Sequence, residues 1–137
     1  MKTIQSVTAT LLMLAVLSSC SPKMQFQNSS IVPGASGNVT VKQDKNKNYT
    51  IHLDVVNLAP PDKLDPPQNA YLVWMESDNN SLKKLGQITT STGLFSKTFK
   101  ADLTVVETVK PDRVFITAER SSDTQYPDGP VVLTTKR

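Results

Sequence analysis

The sequence predicts an all-β fold, on the basis of three observations. Apolar residues alternate with polar ones over short runs, clusters of turn-forming residues separate these runs about every 8 to 12 residues, and no segment shows the period of an amphipathic helix. Val and Thr, which favour strands, are plentiful after residue 38. The chain has 137 residues, which is enough for one domain.

The clearest strand of the sequence runs from Tyr49 to Val55. Its apolar residues, at positions 49, 51, 53 and 55, alternate with polar ones, which is typical of a strand with one buried face. The run 39–42 shows the same alternation, and the polar residues 44–48 between the two runs favour a turn. We therefore expect a β-hairpin in this region.

The next segment, residues 59–68, contains four prolines and therefore cannot form regular structure. The run Tyr71–Met75 that follows is apolar on both faces, which predicts a central strand. Further strands are expected at 82–88, 95–100, 103–107, 113–119 and 131–135. About seven or eight short strands of this kind predict a single antiparallel sandwich of two sheets, of the immunoglobulin-like type.

Residues 1–20 carry the strongest motif of the sequence. Lys2 is followed by an apolar run at 11–17, which is too short to span a bilayer and is typical of a secretory signal peptide. The run ends in Leu17-Ser18-Ser19-Cys20, which resembles a bacterial lipobox, where the cysteine thiol is acylated and the chain is cut before it. The alternative is a secreted protein with a chance cysteine at this position.

The lipobox resemblance divides the chain into three parts: a signal peptide at 1–19, a lipidated N-terminus and tether at 20–37, and a β-sandwich domain at 38–137. Lipidation of Cys20 would anchor the domain to a membrane of the cell envelope, and the tether would lift it above the headgroups. Ser21 stands where an aspartate favours retention in the inner membrane, so the predicted location is the outer membrane, facing the periplasm. Cys20 is the only cysteine, so no intrachain disulfide can form.

The formal net charge of +3 is too small, and the basic residues are too scattered, to predict binding to nucleic acid. Pairs such as Lys45 with Lys47 and Lys136 with Arg137 are interpreted as solubilising surface charge. The alternative for the C-terminal pair is a weak attraction to anionic lipid or glycan.

Four short segments in the second half of the chain form a further pattern. They are Tyr71–Trp74, Leu85–Gly86, Val114–Glu119 and the proline-flanked Pro127–Leu133. Together they resemble the extracytoplasmic C-terminal domain of the anti-sigma-K factor family. The resemblance implies a shared β-sandwich and a shared sensing or partner-binding surface, with Trp74 and Glu119 as fold-determining residues. Members of that family also carry a cytosolic helical domain and a membrane-spanning helix, which have no counterpart in this sequence, so a sigma factor is not expected to be in direct reach.

No catalytic or metal-binding pattern stands out. His52 is the only histidine and shares a strand face with Asp54, whereas a zinc site needs more ligands than these two. The aspartates at 62, 65 and 78 match no calcium loop and are interpreted as turn formers. We therefore predict no enzymatic activity, no metal and no cofactor; a hydrolase that pairs His52 with a serine is the alternative.

Two loops form the predicted recognition surface, since function concentrates on loops over rigid scaffolds. One carries Asp123, Gln125 and Tyr126, and the other is the proline-rich segment 59–68. Trp74 has two interpretations, a buried sandwich residue or a solvent-facing ring that stacks on sugars. The predicted function is a lipid-anchored envelope module that binds or senses an envelope protein without catalysis. The alternative is an envelope lipoprotein that binds glycan or peptidoglycan.

Overall fold

A computed structural model describes residues 22–94 and 96–137. These residues form two antiparallel β-sheets, and their one helical element is a 3-10 turn at Pro61–Lys63. The predicted signal peptide and Cys20 lie outside the described residues, so lipidation stays a prediction. In the described ranges, no helix has the length and apolar character needed to cross a membrane.

Nine strands make up the two sheets in the described part of the chain. In chain order they are β1 (Lys23–Gln25), β2 (Ser36–Gln43), β3 (Tyr49–Val56), β4 (Ala70–Glu76), β5 (Leu82–Ile88), β6 (Ser91–Thr92), β7 (Phe99–Glu107), β8 (Arg113–Glu119) and β9 (Val131–Thr134). The first sheet has the order β1-β2-β3-β7-β6, and the second has the order β5-β4-β8-β9.

The strand order is that of an immunoglobulin domain. Strands β2, β3, β7 and β6 correspond to A, B, E and D, and β4, β8 and β9 correspond to C, F and G, with β5 added beside C. The predicted all-β, immunoglobulin-like sandwich is therefore confirmed. The short strands β1 and β6 bring the total to nine, above the predicted seven or eight.

The core lies between the sheets and is built by alternate residues of each strand. Ile51, Leu53 and Val55 of β3 are at most 1% exposed, as their alternation predicts. They share one core cluster with Tyr71 and Val73 of β4. Each aliphatic side chain removed from water in this way contributes roughly 1.5 to 3 kcal/mol to stability.

The N-terminal segment differs from the tether expected over residues 20–37. Lys23–Gln25 form β1 and pair with β2. Phe26 is 9% exposed and forms a bridge with Thr135 beyond β9, and Val32 is buried as well. Burial of these two apolar side chains offsets the entropy lost when the segment is ordered. The sandwich therefore begins at residue 23 rather than at residue 38.

Strand β7 replaces the two separate strands expected at 95–100 and 103–107. It runs without a break from Phe99 to Glu107, because Ala101, Leu103 and Val105 continue one inward-facing alternation. Residues 96–98 precede it outside any strand, and the two-residue β6 pairs with its start.

The two ends of the sandwich carry different connections. One end, which we call the hairpin end, carries the short turns 44–48, 77–81 and 108–112. The opposite end, which we call the loop end, carries the longer connections 57–69 and 120–130. The two predicted recognition loops therefore share one end of the molecule.

Candidate functional site

The loop 120–130, which connects β8 to β9, lies across the outer face of the second sheet. Lys84 on the edge strand β5 donates from Nζ to the carbonyl oxygens of Ser122 at 2.6 Å and Thr124 at 3.0 Å. Since β4 lies between β5 and β8, the loop must pass over β4 to reach this lysine. The loop thus adds a third layer to the two-sheet sandwich.

A buried hydrogen-bond network holds the part of this loop that returns to β9. Trp74 Nε1 donates to Thr117 Oγ1 at 2.8 Å, and this hydroxyl donates to Glu119 Oε1 at 2.6 Å. The Glu119 carboxylate also accepts from the backbone N–H groups of Asp128 at 3.0 Å and Gly129 at 2.8 Å. Glu119 is 2% exposed, and a carboxylate in that position is costly unless donors surround it. The three donors therefore stabilise the carboxylate and the loop together.

Trp74 is 0% exposed, which decides between its two interpretations. It forms a small cluster with Leu72 and Phe115 on the outer face of β4 and β8. The guanidinium carbon of Arg113 lies 4.4 Å from the centre of the Phe115 ring and covers this cluster from one side. Trp74 is therefore a structural residue of the buried outer face and offers no ring to a sugar.

The three residues predicted for recognition lie on the exposed side of the same loop. Tyr126 is 75% exposed, and Asp123 and Gln125 are exposed as well. Gln125 Nε2 donates to the Asp123 carbonyl oxygen at 2.8 Å, and Ser121 Oγ accepts from the Asp123 N–H at 3.1 Å. These bonds fix the loop before any partner is present, which lowers the ordering cost of binding.

The proline-rich connection meets this loop at the loop end. Asn69 donates its backbone N–H to the Glu119 carbonyl oxygen at 2.9 Å and its Nδ2 to the Arg120 carbonyl oxygen at 2.7 Å. Within the connection, the Pro61 carbonyl oxygen accepts from the N–H of Gln68 at 2.9 Å. The two loops that sequence analysis selected separately are therefore contiguous.

A buried tyrosine ties the proline-rich connection to the core. The Tyr71 hydroxyl on β4 donates to the carbonyl oxygen of Ala59 at 2.5 Å. Burial, together with the nearby Asp62 carboxylate, raises the pKa of Tyr71 to about 12. The hydroxyl therefore keeps its proton, and its role as a donor, throughout the physiological pH range.

Gln68 lies at the meeting point of the two loops, and sequence analysis did not identify it. Its side chain is 7% exposed, and its Oε1 has no hydrogen-bond partner among the described residues. It borders two clefts, one of about 310 Å³ beside Pro60 and Thr89 and one of about 250 Å³ beside Gly129. A buried amide oxygen without a donor costs free energy. A glutamine after two prolines carries no sequence signal for such a position.

His52 and Asp54 lie on the outer face of the first sheet. His52 Nε2 is 2.9 Å from Asp54 Oδ2, and its Nδ1 is 2.6 Å from Thr104 Oγ1 on β7. These contacts connect a hydroxyl, an imidazole and a carboxylate, but neither loop-end cleft includes any of the three side chains. Over residues 22–94 and 96–137, no three His, Cys, Asp or Glu side chains are grouped so that they could hold a metal ion.

Comparison with known proteins returned no match: no protein-family model, no curated protein and no solved structure matches the chain. The resemblance to the anti-sigma-K factor domain therefore rests on its four short segments alone. All four lie in the second sheet and in the loop 120–130, and they include Trp74, Thr117 and Glu119 of the buried network.

Proposed function

We propose that the chain is a lipid-anchored, non-catalytic module of the bacterial cell envelope that binds an envelope protein through its loop end. The observation that carries the binding role is the contiguity of two fixed loops, which brings the exposed Tyr126 ring and the two clefts bordered by Gln68 to one end of the molecule. The lipobox at Leu17–Cys20 supports the anchor, and Ser21 supports an outer-membrane location that faces the periplasm.

A protein partner fits the loop end better than a glycan does. Both clefts beside Gln68 are lined mostly by prolines and by polar and charged side chains, and neither is lined by an aromatic ring. Glycan or peptidoglycan is the second candidate, which the 75% exposed ring of Tyr126 favours.

The resemblance to the extracytoplasmic anti-sigma-K domain supports a sensing role for the same surface. Its matched residues Trp74, Thr117 and Glu119 hold the recognition loop from below. These residues therefore position the loop in our proposal, and a sigma factor is not proposed as a direct partner.

Photo-crosslinking in living cells tests the binding surface. A photoreactive amino acid at position 126 should give a protein adduct of defined mass, whereas the same probe at the exposed position 104 on the first sheet should not. Adducts with glycan at position 126 would favour the second candidate. Equal adducts at both positions, or none at position 126, would contradict the proposed loop-end surface.

Intact mass and membrane fractionation test the anchor. The mature native chain should begin at Cys20 and carry acyl mass, and Cys20→Ala should leave the membrane fraction. A native chain that begins elsewhere and is recovered in the soluble fraction would remove the anchor and the argument for location that depends on it.

A further inference from the structure

The first strand directs the chain toward the hairpin end. In β1, Gln25 pairs with Asn38 and Lys23 pairs with Thr40, so the chain approaches the hairpin end as residue numbers fall. The Pro22 carbonyl oxygen accepts from the Val41 N–H at 3.4 Å. Cys20 is two residues before Pro22, a distance of at most about 7 Å in an extended chain. An acyl chain on Cys20 would therefore hold the hairpin end, rather than the loop end, close to the membrane.

Charge is distributed unevenly between the two halves of the sandwich. When the strands are divided at their midpoints, the half that includes the hairpin end holds ten Lys and Arg against five Asp and Glu, whereas the half that includes the loop end holds four against seven. The small net charge of the whole chain hides this polarity, because the two halves offset each other. The positive half is the one from which the chain leads to Cys20.

Many basic side chains at the hairpin end are exposed and form no ion pair within the described part of the domain. Glu76 pairs with Arg113 at 3.2 Å and Arg137 at 2.8 Å, and Glu107 pairs with Lys83 at 2.6 Å. Six other lysines of this half are exposed and form no ion pair with any described residue. They are Lys23, Lys42, Lys45, Lys47, Lys110 and Lys136. Among the described residues of this half, the carboxylates that form no ion pair are Asp44, Asp78 and Asp112.

A cleft at the same end has room for a headgroup. Its volume is about 460 Å³, and it lies between β1 and the C-terminal residues. Lys23, Lys136 and Arg137 line it, with Asp112 as its one acidic residue. Beside it, Val109 is 50% exposed next to Lys110, which places an apolar side chain within a basic surface.

We propose that the hairpin end is a docking surface for anionic phospholipid, which holds the sandwich upright on the membrane with its loop end facing away. The inference rests on the proposed acylation of Cys20, which supplies the attachment, whereas the lysines supply the orientation. Each Lys or Arg near an anionic bilayer strengthens association by about fivefold at moderate salt, and the effect decays within a Debye length.

Hydrogen exchange of the native lipidated protein tests this orientation. The protein is reconstituted in vesicles of phosphatidylcholine alone or with about one third phosphatidylglycerol, and exchange is followed by mass spectrometry. With phosphatidylglycerol, exposed amides of 42–49 and 108–113 should exchange about fivefold more slowly, and those of 120–130 should not change. The protection should disappear at about 1 M salt, where the Debye length is about 3 Å.

Two triple variants provide matched charge changes at opposite ends. Lys42→Glu/Lys45→Glu/Lys110→Glu should abolish the protection, whereas Lys63→Glu/Lys97→Glu/Lys100→Glu, with the same net charge, should retain it. None of the six lysines takes part in an ion pair with a described residue. Equal behaviour of the two variants would overturn the docking surface.

The intact mass of the chain in the same preparation, which shows whether Cys20 is acylated, separates the two proposals. An acylated chain with equal exchange in both kinds of vesicle overturns the docking surface and leaves the proposed anchor in place. A chain without acyl mass overturns the proposed anchor and, with it, the orientation that depends on it.

Discussion

The outer faces of the two sheets are built from strands of similar length, yet their environments are opposite. On the second sheet, Leu72, Trp74 and Thr117 are 0% exposed, because the loop 120–130 crosses over β4 to Lys84. On the first sheet, His52 and Asp54 form their contacts with side chains 41% and 57% exposed. We call these the covered face and the open face.

A single loop buries one side of the second sheet. The loop is held at one end by the Lys84 ammonium and at the other by the Glu119 carboxylate. Between these two charged groups it excludes water from an indole ring, which brings a large apolar surface into the interior. The exposed residue that we propose faces a partner, Tyr126, and the residue beneath the loop, Trp74, therefore belong to one unit.

The largest expected effect comes from removing the ring beneath the loop. Trp74→Ala should lower the free energy of unfolding by about 3 to 5 kcal/mol, because it opens a cavity and leaves Thr117 without its donor. Tyr126→Ala, on the exposed side of the loop, should change it by less than about 0.5 kcal/mol. Urea denaturation measures both, and similar losses for the two variants would show that the face is not sealed.

A smaller loss is expected where the loop returns to β9. A Cβ on Gly129 would lie 1.8 Å from the Ala118 carbonyl oxygen and 3.2 Å from Glu119 Oε2, so Gly129→Ala must displace the loop backbone. We expect a loss of about 2 kcal/mol in thermal unfolding. Gly93→Ala is the control, because its Cβ would meet nothing closer than 3.9 Å. A neutral Gly129→Ala would mean that the loop can move away from the sheet at little cost.

Lys84, the other residue that holds the loop 120–130, should contribute less to the stability of the domain and more to the local order of the loop. Lys84→Met keeps an apolar stem and removes two charge-assisted hydrogen bonds, for an expected loss of about 1 to 2 kcal/mol. Amides of 120–126 should then exchange faster with solvent. Lys83→Met breaks an ion pair with Glu107 and touches no part of this loop, so it should leave those amides unchanged.

The smallest effect is expected on the open face. His52→Ala removes an exposed pair with Asp54 and a contact with Thr104, which should change the free energy of unfolding by less than about 0.5 kcal/mol. A wild-type urea midpoint with wild-type crosslinking from position 126 is the expected result. A stable variant that loses the crosslink would instead assign a functional role to the open face.

Sequence periodicity predicts those strands whose burial follows from the pattern of their own residues. The alternation of β3 gives its buried face, and the continuous apolar run of β4 indicates burial on both sides. It does not indicate what covers the outer side of β4, because Lys84 bonds to backbone carbonyl groups, which any sequence offers. A lysine on an edge strand is ordinarily a surface charge, so the third layer has no sequence signature.

In the candidate site, too, local features could be predicted from the sequence, whereas contacts between distant segments could not. Asp123, Gln125 and Tyr126 could be placed on an exposed loop because polar residues flanked by proline predict one. The contact of this loop with the proline-rich connection depends on the pairing of Ala70 with Glu119, which brings two distant segments together. For the same reason Gln68 and the ordered β1 could not be predicted, since their environments are formed by residues far away in the chain.

The way in which β1 joins both sheets has a mechanical consequence. The segment pairs with β2 through Lys23–Gln25, and the Phe26 N–H donates to the Gly37 carbonyl oxygen at 3.1 Å. Directly afterwards, the Gln27 N–H donates to the carbonyl oxygen of Thr134 on β9 at 2.8 Å, beside the Phe26–Thr135 bridge. Tension applied at Pro22 along the strand would load these hydrogen bonds together, in shear, rather than break them one after another. A pull through the proposed lipid anchor would therefore be shared by both sheets at once, so that the domain would resist extraction as a single body.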